Sequence, residues 1–217
     1  MPATIHYVSV FNEEDTLTPQ SDFINPDYVH AKCPVHNHKQ SRTFVATSPI
    51  DFKLSINRTP DQNYIFCSRP ELLEYDDEHI NSPKPVMQLV FPKFLFYTEE
   101  DDIWFEFNDH PMTALKNNFI AIGGGFNLSN WSRASSTAIT LVNEKKSVII
   151  EKGDPLFRVS FYPPNLDDSI ILKKETNTEV VDQWVEAHEK KTEEDWRPRL
   201  FSKTKTESKC PFSFLFK

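Results

Sequence analysis

The residues best suited to chemistry lie close together in the N-terminal third of the chain. Cys33, His36 and His38 bring a thiol and two imidazoles into one short segment, and these groups are preferred zinc ligands. Cys67 or Cys210 could supply a fourth ligand. Structural zinc sites usually bring their ligands as two close pairs, and the second pair is missing here. We therefore expect a polar turn ahead of the next strand and no cofactor, with zinc as the alternative.

Other metal-binding patterns are incomplete in this sequence. A cupin-type site follows its His-x-His with an acid a few residues later, but the first acid after His38 is Asp51. Iron sites built from two histidines and one carboxylate begin with His-x-Asp or His-x-Glu, and neither pattern occurs. The sequence therefore does not predict a typical oxoglutarate-dependent oxygenase.

The acidic residues are concentrated in one part of the chain. The formal net charge is −8, and residues 71–109 hold eleven acids against two lysines. This excess predicts one acidic face, which would repel phosphate backbones, so we expect no nucleic-acid binding. The densest run is typical of a solvated hairpin tip, with calcium coordination as the alternative. That run consists of Glu99, Glu100, Asp101 and Asp102.

All four glycines lie at positions 123–125 and 153. A phosphate-binding loop opens a helix and carries Lys, Ser or Thr at a set offset, whereas Phe126 follows here. We therefore expect the three consecutive glycines to form a bulge or a sharp sheet corner beside Trp131. No Gly-x-Ser-x-Gly nucleophile motif occurs, and we assign no catalytic residue.

The elements that would position these residues are mostly strands. Residues 138–142, 147–151 and 156–162 are separated by two polar turns, which predicts an antiparallel meander. In the last of these segments, alternating side chains predict one face in a core and the other toward water or a partner. Further strands are expected at 5–10, 42–47, 51–56, 63–68, 87–91, 93–98 and 103–107, with Pro92 separating two of them.

These strands have short connections and no helices between them. They predict a mainly β fold, an antiparallel β-sandwich or jelly-roll-like domain with one C-terminal helix and extended termini. In the N-terminal part, Pro19 and Pro26 are expected to block regular structure. The chain divides into an N-terminal strand and arm (1–28), the β-sandwich domain (29–172), an amphipathic helix (173–200) and a tethered apolar tail (201–217).

The helix is predicted by a capping box and an apolar stripe. Thr176 and Glu179 have the spacing of a capping box. One helical face then carries Val180, Val181, Trp184, Val185 and His188.

The tail combines a polar spacer with large apolar side chains. Burying each of these side chains could contribute about 2 kcal/mol, so we predict a docking peptide. It could return to its own domain or insert into a neighbouring subunit. The side chains are Phe212, Phe214, Leu215 and Phe216.

Cysteine content and the N-terminus bear on the compartment. The three cysteines are odd in number and widely spaced, which does not suit a disulfide framework and favours a reducing compartment. The sequence begins without the basic start and apolar run of a signal peptide, and no window approaches a membrane span. We therefore expect neither secretion nor a membrane partner.

A short part of the chain resembles a nucleotide-hydrolysing fold. Residues 133–136, 141–143 and 152–156 are similar to the closing half of the trimeric dUTPase and dCTP-deaminase fold. Those enzymes also need a Gly-x-Ile-Asp-x-x-Tyr-x-Gly hairpin, whose Asp activates water and whose backbone reads uracil, and this sequence lacks it. We interpret the likeness as shared strand geometry.

A longer resemblance covers most of residues 32–162. Lys32-Cys-Pro34, residues 42–49 with Asp51, residues 91–104 and residues 152–156 together resemble a family of uncharacterised proteins from contractile-tailed phages of marine bacteria and cyanobacteria. The resemblance implies a viral source, and so a virion or host-cytoplasm location. It implies no catalytic residues.

The abundance of Phe and the terminal extensions favour a protein that works by contact. We expect a non-enzymatic phage-type structural or host-interaction protein that uses β-sheet surfaces and terminal arms, with protein partners or self-association. The alternative is a small metal-dependent or nucleotide-acting β-barrel enzyme with a site at Cys33, His36, His38 and His110. A third possibility is a host-directed regulator that binds a basic partner through the acids of residues 71–109.

Overall fold

The computed structural model describes residues 2–10, 15–24, 27, 33–129, 134–177, 179–184 and 186. The protein is mainly β with few helices, which confirms the predicted fold class. The strands, numbered in chain order, are β1 (Ala3–Ser9), β2 (Leu17–Pro19), β3 (Thr43–Thr47), β4 (Phe52–Arg58), β5 (Asn63–Cys67), β6 (Leu73–Glu74), β7 (Val86–Tyr97), β8 (Trp104–Asp109), β9 (Phe119–Ala121), β10 (Gly124–Asn127), β11 (Ala134–Leu141), β12 (Val148–Ile150), β13 (Pro155–Tyr162) and β14 (Ile170–Lys174).

Short helical segments connect the strands. The α-helices are α1 (Pro34–Gln40) and α2 (Asp77–Ile80), and residues 179–184 are also helical. Tight 3₁₀ turns span Gln20–Phe23 and Pro70–Leu72, and a π-helical turn spans Thr113–Asn117. None of the helices in these described parts of the chain is long and apolar enough to cross a membrane.

The strands form three sheets. The first has the order β14-β1-β7-β11-β9, with β6 also paired to β7. The second has the order β10-β8-β13-β3-β2, and the third has the order β12-β4-β5. Pairing is antiparallel throughout these described strands, except that β1 and β14 run parallel.

Phenylalanine side chains fill the space between the sheets. Phe96 of the first sheet contacts Phe105 and Phe161 of the second, with ring centres 5.0 and 5.4 Å apart. Phe91 meets Phe52 of the third sheet at 5.5 Å. All five rings are buried, and fully burying such a side chain stabilises a fold by about 1.5–3 kcal/mol. The core is therefore one aromatic layer shared by all three sheets.

The predicted meander is wrong. Its three strands exist, but they correspond to β11, β12 and β13, which belong to three different sheets. The turn before β12 is anchored elsewhere, because the Asn118 side-chain amide donates to the carbonyl oxygens of Asn143 and Lys146, each at 2.8 Å. The chain therefore crosses between sheets at each polar turn instead of folding back on the strand before it.

The expected solvent face of β13 is also wrong. Leu156 and Ser160 are buried along with Phe157, Val159 and Phe161, which point the other way. The reason is position, since β13 lies in the middle of the second sheet with β8 and β3 on its two sides. The neighbouring strands help cover outward side chains such as Ser160, whose hydroxyl lies 2.9 Å from that of Thr43, while Arg158 and Tyr162 on the same face stay partly exposed.

Two prolines interrupt strands less than expected. Pro92 lies within the single strand β7, at a point where the pairing with β11 jumps from Phe94 to Leu89. Because the strands are not paired at this point, the missing N–H of proline removes no hydrogen bond between them. Pro19 ends the short edge strand β2, which pairs with β3 where an unstructured arm was expected. Pro26 lies outside the described residues.

The C-terminal helix begins one residue later than predicted. Asn177, and not Thr176, caps it, because its side-chain oxygen accepts the N–H of Glu179 at 3.1 Å. Trp184 stacks on Tyr97 of β7, with ring centres 4.7 Å apart. The predicted stripe therefore does pack on the first sheet at Trp184, while Val185 and His188 lie outside the described side chains.

Candidate interaction surfaces

The outer face of the second sheet carries a polar and aromatic groove. Along β8, Phe105 points into the core, so its neighbours Trp104 and Glu106 point outward. Tyr162 of β13 lies directly opposite Trp104. The groove, called here the Glu106 groove, is lined by Trp104, Phe105, Glu106, Asn108, Gly123, Gly124, Gly125 and Tyr162.

Hydrogen bonds fix the side chains of this groove. The Tyr162 hydroxyl donates to Glu106 Oε2 at 2.6 Å. The guanidinium carbon of Arg42 lies 5.6 Å from the centre of the Tyr162 ring, within the range of a cation–π contact. The hydroxyls of Thr43 and Ser160 lie 2.9 Å apart beside them. The face is therefore held in one arrangement by contacts within the protein.

Glycines let β10 approach β8 closely at the side of the groove. A Cβ at Gly125 would lie 2.8 Å from the carbonyl oxygen of Phe105, and one at Gly123 would lie 2.6 Å from Asn108 Oδ1. The glycines thus lie where the chain passes from β9 of the first sheet to β10, an edge strand of the second, which agrees with the expected sheet corner. They open a strand and no helix, so they do not form a phosphate cradle. Trp131 lies outside the described residues.

The protonation states of the groove suit binding better than proton transfer. Burial alone would raise the pKa of Glu106, but hydrogen bonds from Tyr162 and Asn108 and the charges of Lys39 and Arg158 hold it below its usual value. Burial, followed by the Glu106 hydrogen bond and charge, raises the pKa of Tyr162. A fixed carboxylate and a fixed phenol lack the pKa near neutrality that general acid–base catalysis favours.

Of the predicted zinc ligands, His36 and His38 lie on α1 and Cys33 directly precedes it, so the expectation of a polar turn there is wrong. Pro34 occupies the first turn, where its missing N–H costs nothing. The ring Nε2 of His36 lies 3.1 Å from the Gln40 side-chain nitrogen, and the Arg42 guanidinium donates to His38 Nδ1 at 3.3 Å. Cys33 is exposed. Across the described parts of the chain, no three His, Cys, Asp or Glu side chains are arranged to hold a metal ion.

His110 is buried beside β2 and the turn that follows it. Its Nδ1 accepts the N–H of Met112 at 3.3 Å, and the side-chain nitrogen of Gln20 lies 3.4 Å from its Nε2. The ring also meets Phe23 edge-on at 5.8 Å. Burial, followed by the charge of Arg158, lowers the pKa of His110 from 6.5 to about 4. The imidazole is therefore neutral and takes part in packing.

The acidic run forms the exposed turn between β7 and β8. Asp102 has a left-handed backbone (φ 55°), and its Oδ1 accepts hydrogen bonds from Asn127 at 2.7 Å and from the Trp104 indole at 3.2 Å. The second acidic group, Glu71–Glu78, surrounds β6, which pairs near the opposite end of β7. The predicted single acidic face is thus divided into two separate groups.

The outer face of the third sheet carries three large exposed apolar side chains. Tyr64 and Phe66 of β5 are 52% and 59% exposed, and Ile149 of β12 is 57% exposed. We call these three side chains the aromatic face. The inward-pointing residues of the same sheet, Leu54 and Val148, are buried. The predicted interaction residues Phe212, Phe214, Leu215 and Phe216 lie outside the described residues.

Sequence reasoning missed Glu106 and Tyr162 as a pair. They lie 56 positions apart, and the pairing of β8 with β13 brings them together. The available signal was the alternation of Trp104, Glu106 and Asn108 with phenylalanines, which marks a polar outer face. The partner strand could not be chosen from that pattern.

Comparison with solved structures shows a likeness to a dUTPase. The native EIAV dUTPase is similar over 74% of this chain and 91% of that chain, with 7% sequence identity and a TM-score of 0.37. No protein-family model and no curated protein matches the sequence. No activity or residue role transfers from this likeness.

Proposed function

We propose that the protein is a non-enzymatic interaction protein that acts through its β-sheet surfaces and terminal arms, as a structural or host-interaction component of a contractile-tailed phage. The observation that carries this proposal is the aromatic face. Tyr64, Phe66 and Ile149 are each more than half exposed on one side of a sheet whose other side is in the core. Exposed aromatic and aliphatic side chains that share one face of a sheet are suited to anchoring a protein contact.

The neighbours of these side chains support the same interpretation. Lys53 pairs with Ile149, and Ser55 and Asn57 pair with Phe66 and Tyr64, so polar side chains separate the apolar ones on the outer face. Aromatic side chains within a polar surround are typical of the residues that dominate binding energy at protein interfaces. The partner is a protein, either a second copy or another component.

The Glu106 groove gives secondary support. Burial, with the hydrogen bond to Glu106, raises the pKa of the Tyr162 phenol, and hydrogen bonds and nearby positive charges keep the pKa of Glu106 low against burial, so each group keeps one ionisation state, which suits recognition of a surface. The phage source rests on the sequence resemblance across residues 32–162. Mass spectrometry of purified virions tests it, and the absence of the protein from particles would favour the host-interaction role.

Size-exclusion chromatography with light scattering tests the aromatic face. We expect the full-length protein to self-associate, and Tyr64→Ser with Ile149→Ser to weaken that association by about tenfold or more, since each removes apolar contact area. Leu115→Ser is the matched control, because Leu115 is also highly exposed but lies on the π-helical turn. Variants that associate like the control would contradict the role of the aromatic face in self-association, and a full-length protein that stays monomeric at every concentration would leave another component as its partner.

A further inference from the structure

The outer edge of β5 has main-chain groups that point away from its partner strand. Ser68 donates to Lys53 at 2.9 Å and Thr59 donates to Gln62 at 3.0 Å, so every second residue between them bonds to β4. Tyr64 and Phe66 belong to that set. Asn63, Ile65 and Cys67 therefore direct their N–H and C=O groups to the open edge.

Part of this edge is already occupied. The N–H of Asn63 is taken by Asn81 Oδ1 at 2.9 Å. Among the described residues, nothing accepts the main-chain N–H of Ile65 or Cys67, because β5 pairs with β4 alone. An unpaired strand edge of this kind is a template for another strand.

A cleft of about 510 Å³ lies beside this edge. We call it the β5 cleft. Its apolar wall is formed by Ile65, Pro70 and Leu73, and Glu74 and Tyr75 border it. The cleft can thus receive side chains from a strand that bonds to Ile65 and Cys67.

We propose that residues 211–217 of the same chain add to the β5 edge as a further strand. Phe212, Phe214 and Phe216 recur at every second position, so an extended backbone places all three on one side. That side faces the β5 cleft, and Ser213 and Leu215 face the other way. Strand addition of this type takes its affinity from main-chain hydrogen bonds and its specificity from alternate side chains.

Charge favours this occupant. Residues 202–217 contain four lysines and one glutamate, a net charge of +3 before the terminal carboxylate is counted. Glu71 and Glu74 are exposed beside the β5 cleft and belong to the acidic group around β6. The tail and the edge therefore attract each other, and salt weakens the attraction.

The distance suits binding within one chain. The helical segment is anchored by Trp184 on Tyr97, whereas β6 pairs with Gln88 and Leu89. Nine residues of strand span about 30 Å. The 26 residues from 186 to 212 can span up to about 86 Å when fully extended, which is well over this distance. Because this tail belongs to the same chain as the β5 edge, its effective concentration there is about millimolar. At micromolar protein it therefore outcompetes the tail of a second copy.

Residue-resolved amide hydrogen exchange of the full-length protein tests this strand. We expect Phe212→Ser with Phe214→Ser and Phe216→Ser to speed exchange at Ile65 and Cys67 by about tenfold or more, because their acceptors leave. Tyr64 and Phe66 are internal controls, since their N–H groups bond to β4 and keep their rates. Ser213→Thr with Leu215→Thr is the matched control, because these side chains face away from the β5 cleft.

Unchanged exchange at Ile65 and Cys67 in the triple variant would overturn the proposal. Protection that falls on dilution in the unaltered protein would also overturn it, because the strand would then come from a second copy. Ile149→Ser distinguishes this inference from the proposed function, since it alters the aromatic face at β12 and leaves the β5 edge intact. If Ile149→Ser loses self-association but keeps normal protection of the Ile65 amide from hydrogen exchange, the aromatic face and the added strand act independently.

Discussion

Glu106 and Tyr162 show how two side chains set each other's ionisation on a sheet face. The 2.6 Å hydrogen bond lowers the pKa of the carboxyl and contributes to the raised pKa of the phenol. Both groups therefore keep one charge state across the neutral range. The same residues would form a catalytic pair in a site that left one of them a pKa near neutrality.

His110 makes stability depend on pH. Because burial lowers the pKa of its imidazole from 6.5 to about 4, the unfolded chain binds a proton in that interval while the folded chain does not. The contribution of the neutral His110 to the free energy of unfolding is therefore fully present above pH 6.5 and is lost as the pH falls toward 4. Between pH 7 and pH 5 the free energy of unfolding of the unaltered protein falls as His110 becomes protonated in the unfolded chain. We expect this fall to be about 2 kcal/mol smaller in His110→Gln, measured by urea unfolding.

His38→Gln is the control for this measurement. His38 is exposed on α1, so its replacement tests whether removing any histidine has the same effect as removing the buried one. Equal losses of stability in His110→Gln and in the unaltered protein would show that His110 takes up its proton without unfolding.

At the scale of elements, the π-helical turn Thr113–Asn117 is tied to the turn before β13 by one carboxylate. Asp154 Oδ1 accepts a hydrogen bond from Lys116 Nζ at 2.7 Å. Its Oδ2 accepts two more, from the Asn117 side-chain amide at 2.8 Å and from the main-chain N–H of Glu151 at 3.1 Å. Asn117 also donates to the carbonyl oxygen of Ile149. The carboxylate thus joins the crossover from β12 to β13 to a distant segment.

We expect Asp154→Ala to destabilise the protein by about 2–4 kcal/mol, because it leaves buried donors without an acceptor. Glu151→Ala is the control, since that side chain is largely exposed and its contact with Lys116 is longer, at 3.3 Å. Its loss should cost about 0–1 kcal/mol. Urea unfolding of both variants checks the difference, and equal values would show that Asp154 is not the joint between these elements.

On the scale of the whole molecule, three sheets share one aromatic core. The ring contacts of Phe96 with Phe105 and Phe161, and of Phe91 with Phe52, connect all three. Burial of these rings therefore contributes to the stability of all three sheets at once.

We expect EDTA to leave the thermal midpoint of the full-length protein unchanged, because His36 and His38 already have partners on α1 and beside it. A structural zinc ion would contribute folding energy outright. Calorimetry with and without EDTA makes the measurement, and His36→Ala with His38→Ala serves as the control. A midpoint that falls with EDTA, returns with zinc and is already low in that variant would support the metal-dependent alternative.

Local patterns determined most of the strands and the class of the fold. Alternation and turn residues predicted the strands at 42–47, 51–56 and 63–68 to within two residues, because these signals act over neighbouring positions. The same holds for the helix that begins after residue 177.

Tertiary structure decided which strands pair. The segments that became β11, β12 and β13 are adjacent in sequence, yet each bonds to strands far along the chain. Long-range pairing depends on the total packing of the sheets, which no local window contains. For the same reason Glu106 and Tyr162 became neighbours, and the β5 edge remained open, only once all three sheets were assembled.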